Sequence, residues 1–313
     1  MRQNYRFKVG QNTLRAWFDE FITAKAAEGR SDGTLRAYQF HFLGIQKFLD
    51  VDLDLDEIDE AVIRRAVGKM ARTDLSRNSI RSYTATLSSF FSWLRSQGAT
   101  NVKIGLFKGE EGVPTTYSPL ELERLLKRPK KGSNFTEYRT WVIINLLVNN
   151  GIRAASVRAI EVQDVSLDDS VIYLRHTKNR RSQAIPMSPA LAQILAEYLR
   201  IRKGEPDDPL FPDVTGHRMS EDCLRNAIRR YNERRGVKKT GIHAFRHTFA
   251  RMYLVDCGGN ALKLQRLLGH QTLDMTKKYV KIFDRDLIDD FRNKSPLEVI
   301  QKKTSHQANS RRS

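Results

Sequence analysis

Between Gly241 and Tyr279 the chain reads GIHAFRHTFARMYLVDCGGNALKLQRLLGHQTLDMTKKY. His243 and Arg246 stand one helical turn apart, His270 follows a Leu-Leu-Gly turn, and Tyr279 lies nine residues beyond it. Histidines and an arginine that can hold a phosphate, followed by a tyrosine on a short amphipathic piece, point to a phenol oxygen attacking a phosphodiester. The phenol is a weak nucleophile at its free pKa of about 10, so it needs positive charge or a base beside it. Taken alone, Tyr279 also reads as a packed aromatic with a wet hydroxyl. His243 and His247, at i and i+4, have no nearby carboxylate or cysteine to complete a metal site, and His247 reads as a structural residue orienting its neighbours.

Two further cations sit far upstream. Arg153 follows an apolar helix around Trp141–Val148 and the stop Asn149-Asn150-Gly151, where it can be held rigidly with its guanidinium in a cleft. It reads equally as a surface arginine beside a helix C-cap. Lys178 lies in HTKNRR, between two short β-like runs, so the pattern is a hairpin with a basic turn. Such a lysine is ordinarily a solvated charge; beside nucleic acid it can reach a scissile phosphate. No Gly-rich phosphate loop, HExxH or paired-carboxylate site is present, so no cofactor and no metal are expected.

The balance of charge agrees with a polyanionic partner. The 313 residues carry 54 Lys+Arg against 36 Asp+Glu, a formal net charge of +18. Residues 1–100 hold 15 basic and 12 acidic side chains, so nearly all of the excess lies beyond residue 100. Cys223 and Cys257 have no CxxC spacing, which argues against a disulfide framework or zinc knuckle. There is no signal-peptide run and no apolar stretch of membrane-spanning length, so a cytoplasmic, nucleoid-associated protein with no membrane partner is expected.

The elements that must position these residues read as two domains. In residues 12–97 four amphipathic helices repeat apolar positions at helical spacing: Leu14, Trp17, Phe18 and Phe21; Leu35, Tyr38, Phe42 and Ile45; Ile58, Val62, Ile63, Val67 and Met70; Ile80, Tyr83, Leu87, Phe90 and Leu94. Ser31, Asp32 and Ser76 are placed to cap, and four such helices can bury one core. Arg36, Arg77, Asn78 and Arg81 on the second and fourth helices are candidate DNA contacts, as are Arg180 and Arg181 beside Lys178. Residues 99–117 lose periodicity and read as an interdomain linker, ending at the capping box Ser118-Pro119-Leu120-Glu121. Helices are expected over 119–127, 189–202 and from Ser220 to about Arg235. The expected domains are 1–98, 118–292 and a basic tail, 293–313, disordered.

As a set these residues resemble the tyrosine recombinases of the phage integrase family, in the size and layout of Xer-type and simple transposon integrases. H243-A-F-R246-H247-T-F-A is similar to the family's H-x-L-R-H-T-F-A, with Phe245 in the Leu place. L267-L268-G269-H270 precedes Tyr279 at the family's spacing, N-G-I-R153 stands for T-G-L-R, and Lys178 falls on the family's hairpin lysine. The resemblance implies a mainly α fold: an N-terminal four-helix core-binding (SAM-like) domain, plus an α+β catalytic domain with a small antiparallel sheet. It implies that Arg153, Arg246, His243 and His270 bind the phosphate, that His243 is the base for Tyr279, and that Lys178 protonates the leaving 5′ oxygen. A covalent 3′-phosphotyrosine would follow, without metal or ATP, on a homotetramer holding two double-stranded DNA sites, with accessory DNA-bending proteins as further partners. Asp284–Phe291 reads as a short amphipathic helix with Leu287, Ile288 and Phe291 on one side; the resemblance implies that it links neighbouring protomers, and by itself it reads equally as a helix packed on its own domain. No separate DNA-binding domain is expected before residue 12. A type IB topoisomerase or a catalytically silent DNA-binding protein of the same fold are the alternatives. One departure stands out: the family's R-I-S-E-L is R153-A-A-S156-V here, so Ser156 replaces a carboxylate that supports the site.

Overall fold

Helix starts in this chain are marked by capping side chains that take up otherwise unpaired backbone N–H groups. The structure is a computed structural model, and it describes residues 12–110, 114–175, 182–269 and 272. Thr13, Ser31, Asp59 and Ser76 each accept a backbone N–H at the head of α1 (Leu14–Ala27), α2 (Asp32–Ile45), α3 (Glu60–Ala71) and α4 (Arg77–Ser96). Their apolar faces meet in one aromatic core. Phe18 stacks on Phe42 at 3.8 Å, and Phe90 stands edge-on to Phe18 at 5.3 Å. Ile58, expected inside the third helix, instead follows a single 3-10 turn at Leu55–Glu57, where it is buried in the same core.

The chain divides into two compact units, with the break between residues 112 and 113. That break lies inside the stretch read as a linker, and described residues on either side of it are packed, each on its own unit. Val102, Ile104 and Phe107 pack against the N-terminal core. Arg95 donates to the Val102 carbonyl at 2.6 Å, and the Phe107 N–H donates to Thr84 Oγ1 at 3.1 Å. At the other end, Tyr117 is buried in the second unit and its N–H donates to Thr248 Oγ1 at 2.8 Å.

The second unit is built round α6 (Phe135–Asn150), which is buried on nearly every side from Arg139 to Leu147. α5 (Pro119–Leu126), α8 (Pro189–Arg202), α9 (Glu221–Arg234) and α10 (Ile242–Leu254) pack against it. A six-residue helix, α7 (Ala154–Ala159), follows Arg153 at once; six residues are too few for a periodicity to announce it. Then come β1 (Val165–Ser166), β2 (Val171–Leu174) and β3 (Gln183–Pro186), antiparallel in the order β1-β2-β3. The β2–β3 ladder runs from Val171↔Pro186 to Leu174↔Gln183. α11 (Ala261–Leu268) ends the described helices. The fold is thus mainly helical with one small antiparallel sheet.

The head of α5 is tied to the approach to α10. Glu121 Oε2 accepts the Ser118 N–H at 2.7 Å and Lys239 Nζ at 2.9 Å, while Lys239 Nζ also donates to the Thr116 carbonyl at 2.9 Å. Partial burial pushes the Glu121 carboxyl up, but the Ser118 N–H and the Lys239 ammonium outweigh it and leave it below the usual carboxylate range. A depressed carboxyl stabilises the fold above its unfolded pKa of about 4.3, and that contribution is lost as pH falls through the folded value. Glu121→Gln is therefore expected to cost roughly 0.5–1 kcal/mol at neutral pH, the partner being partly exposed. The difference from wild type should vanish in urea melts run well below the carboxylate range.

Candidate active site

Arg153 and Arg246 come from different elements and meet at one helix end. α6 stops at Gly151, whose φ of +58° is the left-handed conformation that glycine adopts without steric cost. The turn is also pressed against α10: a Cβ on Gly151 would lie 2.5 Å from Phe249 Cδ1. Close approach lets Arg246, one turn back on α10, reach the turn itself. Its Nη1 donates to the Gly151 carbonyl at 2.9 Å, and its Nη2 donates to the Leu268 carbonyl at 2.8 Å. Arg246 is only 6% exposed, so its guanidinium is oriented by the fold.

Arg153 is half-buried as the N-cap residue of α7, and its Nη2 lies 3.4 Å from the Gly269 carbonyl. The two arginines thus take adjacent carbonyls at the C-terminal end of α11, where unpaired C=O groups carry partial negative charge. Gln183, at the start of β3, takes the preceding pair: its Nε2 donates to the Arg266 carbonyl at 2.7 Å and to the Leu267 carbonyl at 3.0 Å. Asn150 closes the arrangement by donating from Nδ2 to the Pro186 carbonyl at 2.8 Å. Gln183 carried no signal in the sequence beyond membership of a strand, because its partners lie more than eighty residues away.

His243 lies exposed in the first turn of α10, on the element that carries Arg246. His247 is half-buried on the same helix. Phe245, in the motif's Leu place, is fully buried and stacks on Tyr117 at 4.2 Å, which seats α10 on the start of the unit. Burial pushes the Tyr117 phenol up to about 12, so it stays protonated. Lys178, Arg180, Arg181, His270 and Tyr279 lie outside the described residues, as do the Asp284–Phe291 segment and the tail.

Ser156 is 7% exposed and lines a narrow crevice with Asp164, Tyr173 and Arg175. Asp164 is itself only 2% exposed. A buried carboxylate therefore does stand beside the position where Ser156 replaces one. Asp164 Oδ2 accepts the Glu161 N–H at 2.9 Å, and Oδ1 lies 2.6 Å from Arg175 Nε. That second contact is an ion pair without hydrogen-bond alignment.

Of the candidate DNA contacts in the first unit, Arg36, Arg77, Asn78 and Arg81 are all exposed. Arg77 is also engaged by its own chain: it lies 3.5 Å from Glu110, donates to the Lys108 carbonyl at 3.3 Å and sits over the Phe107 ring. Gly109 passes so close to Asn78 and Arg81 that a Cβ there would lie within 2.8 Å of both side chains. The head of α4 is thus overlaid by residues 107–110. No described helix is long and apolar enough to cross a membrane.

Residues 117–285 match the phage integrase family, and residues 18–98 match the phage integrase N-terminal SAM-like domain. The chain is 27% identical over 286 residues to a tyrosine recombinase XerC of Thermodesulfovibrio yellowstonii, covering 87% of this chain and 93% of that protein. Its fold resembles that of XerH site-specific recombinase bound to a palindromic difH substrate in a post-cleavage complex. There the TM-score is 0.68 at 20% identity, over 90% of this chain and 84% of that one. It also resembles a lambda integrase tetramer bound to a Holliday junction, with a TM-score of 0.69 at 19% identity, over 87% and 78% of the two chains. With this catalytic core and this N-terminal helical domain, the chain belongs to the phage integrase family of tyrosine-type site-specific DNA recombinases.

Proposed function

We propose that this protein cuts and rejoins double-stranded DNA at specific sites through a covalent 3′-phosphotyrosine on Tyr279. The observation that carries the reading is the pair of guanidiniums, Arg153 and Arg246, held on adjacent carbonyls directly before His270. A phosphodiester passing to a pentacoordinate transition state gathers negative charge on its non-bridging oxygens. Preoriented guanidiniums meet that charge and stay protonated at any working pH.

In the proposed first step the Tyr279 oxygen attacks phosphorus and gives its proton to His243. The bond to the 5′ oxygen breaks, and that oxygen takes a proton from Lys178, while His270 adds a hydrogen bond to the phosphate. A free 5′ hydroxyl on a partner strand then attacks the phosphotyrosine and returns the phenol. One phosphoester replaces another at each step, so no nucleotide is consumed. In this reading residues 118–292 carry the chemistry, residues 1–98 help hold the core site, and four copies join two duplexes. The reaction serves a mobile element or resolves joined replicons.

The test is a supercoiled plasmid with two copies of the inverted-repeat DNA flanking the gene. Deletion or inversion between the copies is expected. Relaxation without any exchange would assign the protein to strand passage on one duplex and overturn the recombinase reading.

A further inference from the structure

Toward the end of α6 remote from the Gly151 turn, a half-open cavity of about 380 Å³ lies between α6 and α9. Arg139 is part of its lining, eleven residues before Asn150 and so roughly 16 Å along the helix from the turn. The residue is only 3% exposed. A buried charge is ordinarily met by a carboxylate, because its lost hydration has to be replaced. Arg139 enters no ion pair among the described residues. Its Nη1 donates to the Pro212 carbonyl, while the fully buried Nε has no partner. Burial lowers the Arg139 pKa, and attraction by Tyr198, Cys223 and Asp213 does not make up for it. Asp213 Oδ1 is already occupied, accepting the Thr215 and His217 N–H groups at 2.8 and 3.0 Å.

Two more guanidiniums come from α9. Arg230 and Arg234, one turn apart, line the same cavity, are exposed, and form no ion pair among the described residues. The carboxylate in the lining, Glu137, is already paired with Arg235 at 3.2 Å. Val214 and Ala227 leave part of the wall apolar. A cavity of this volume, partly apolar and with a few convergent polar groups, has the build of a small-ligand site. Its free charge is all of one sign.

We propose that this cavity binds a small phosphate monoester, at a site separate from the turn that holds Arg153 and Arg246. A monoester carries close to two negative charges at neutral pH and presents three terminal oxygens. Several guanidinium forks can share those oxygens, whereas a carboxylate has one charge and fills one fork. A phosphodiester of the DNA backbone also has a single charge, and a sugar on each side keeps its oxygens from a guanidinium as buried as Arg139. The ligand would supply the counter-charge that Arg139 lacks and tie the start of α6 to α9. Because it binds the folded chain, stability should rise with its concentration.

The experiment uses the whole protein without DNA, at constant ionic strength, with glycerol 3-phosphate as the monoester and dimethyl phosphate as the diester. Arg246→Lys serves as the parent, so that phosphate held at the proposed cleavage site is discounted. Titration calorimetry is expected to find one glycerol 3-phosphate per parent chain, with a matching rise in Tm. Adding Arg230→Gln and Arg234→Gln should weaken binding by roughly ten- to a hundredfold and remove the rise in Tm. Both side chains are exposed, so the fold should persist. Arg139→Met should also remove binding; if that variant does not fold, the exposed pair decides. Dimethyl phosphate should bind roughly tenfold or more weakly than the monoester. Binding by the Arg230 and Arg234 double variant as tight as its parent's overturns the proposal, as does equal affinity for the diester. Loss of all binding in the parent would place the phosphate at Arg246 and overturn it too. Displacement of glycerol 3-phosphate by duplex DNA without a recombination site would assign the cavity to the DNA backbone instead. No arm involves DNA cleavage, so the outcome is independent of the proposed recombinase activity.

Discussion

Tyr279→Phe is expected to reduce covalent protein–DNA adduct on a nicked suicide substrate to background while leaving DNA binding intact. The substitution removes one oxygen, the atom assigned to attack phosphorus, and nothing else of the ring. Binding survives because affinity for DNA comes largely from phosphate contacts, and a chain with net charge +18 keeps all of its cations in the variant. Binding of both proteins should fall steeply and in parallel as salt is raised, since each phosphate contact displaces counterions. The readout is a band shifted by the mass of the protein on a denaturing gel, with the 5′ hydroxyl fragment released. A phenylalanine variant that still traps adduct removes Tyr279 from the mechanism. Wild type that traps none, on a site it demonstrably binds, removes the enzyme from it.

The second large effect is at Arg246. Its guanidinium spans two carbonyls, Gly151 and Leu268, that belong to the ends of different helices. A lysine ammonium is a single point at the end of a flexible stem and cannot hold both while presenting a fork to a phosphate. Arg246→Lys is expected to slow adduct formation by about a hundred- to a thousandfold, the scale of losing one preorganised donor at a developing charge. It should also cost about 1–3 kcal/mol of stability, because one buried carbonyl loses its partner. Urea melts and single-turnover cleavage on the same preparation separate the two effects. If cleavage falls only in proportion to the unfolded fraction, Arg246 is a strut of the fold and not a ligand of the phosphate.

Gly151 shows why these residues act together. Its left-handed turn ends α6, frees a carbonyl for Arg246 and lets Phe249 of α10 lie against it. A side chain there would be strained in backbone and would push α10 away from the turn. The same small residue thus sets both the position of Arg153, two residues on, and the reach of Arg246.

Much of this was legible in the sequence because it is local. Capping residues at Ser31, Ser76 and Ser118 start helices where expected, since the interaction involves residues three apart. The spacing of Phe18, Phe42 and Phe90 within their helices placed them in a core, and the resemblance to the family was carried by Arg153, Lys178, the stretch from His243 to Ala250, and His270 with Tyr279. The tertiary structure alone decided how these pieces meet. Periodicity could not show α7, which is shorter than two turns. Loss of periodicity after residue 98 could not distinguish a free linker from an irregular segment packed through Val102, Ile104 and Phe107. Nor could any local pattern reveal that Asp164 stands beside Ser156, or that Gln183, Arg246 and Arg153 divide four successive carbonyls of α11 among them. Residue types and short-range spacing determined which groups could do the chemistry. The pairing of backbone carbonyls with donors some twenty to over a hundred residues distant is a property of the packed chain, and it decides where those groups are held.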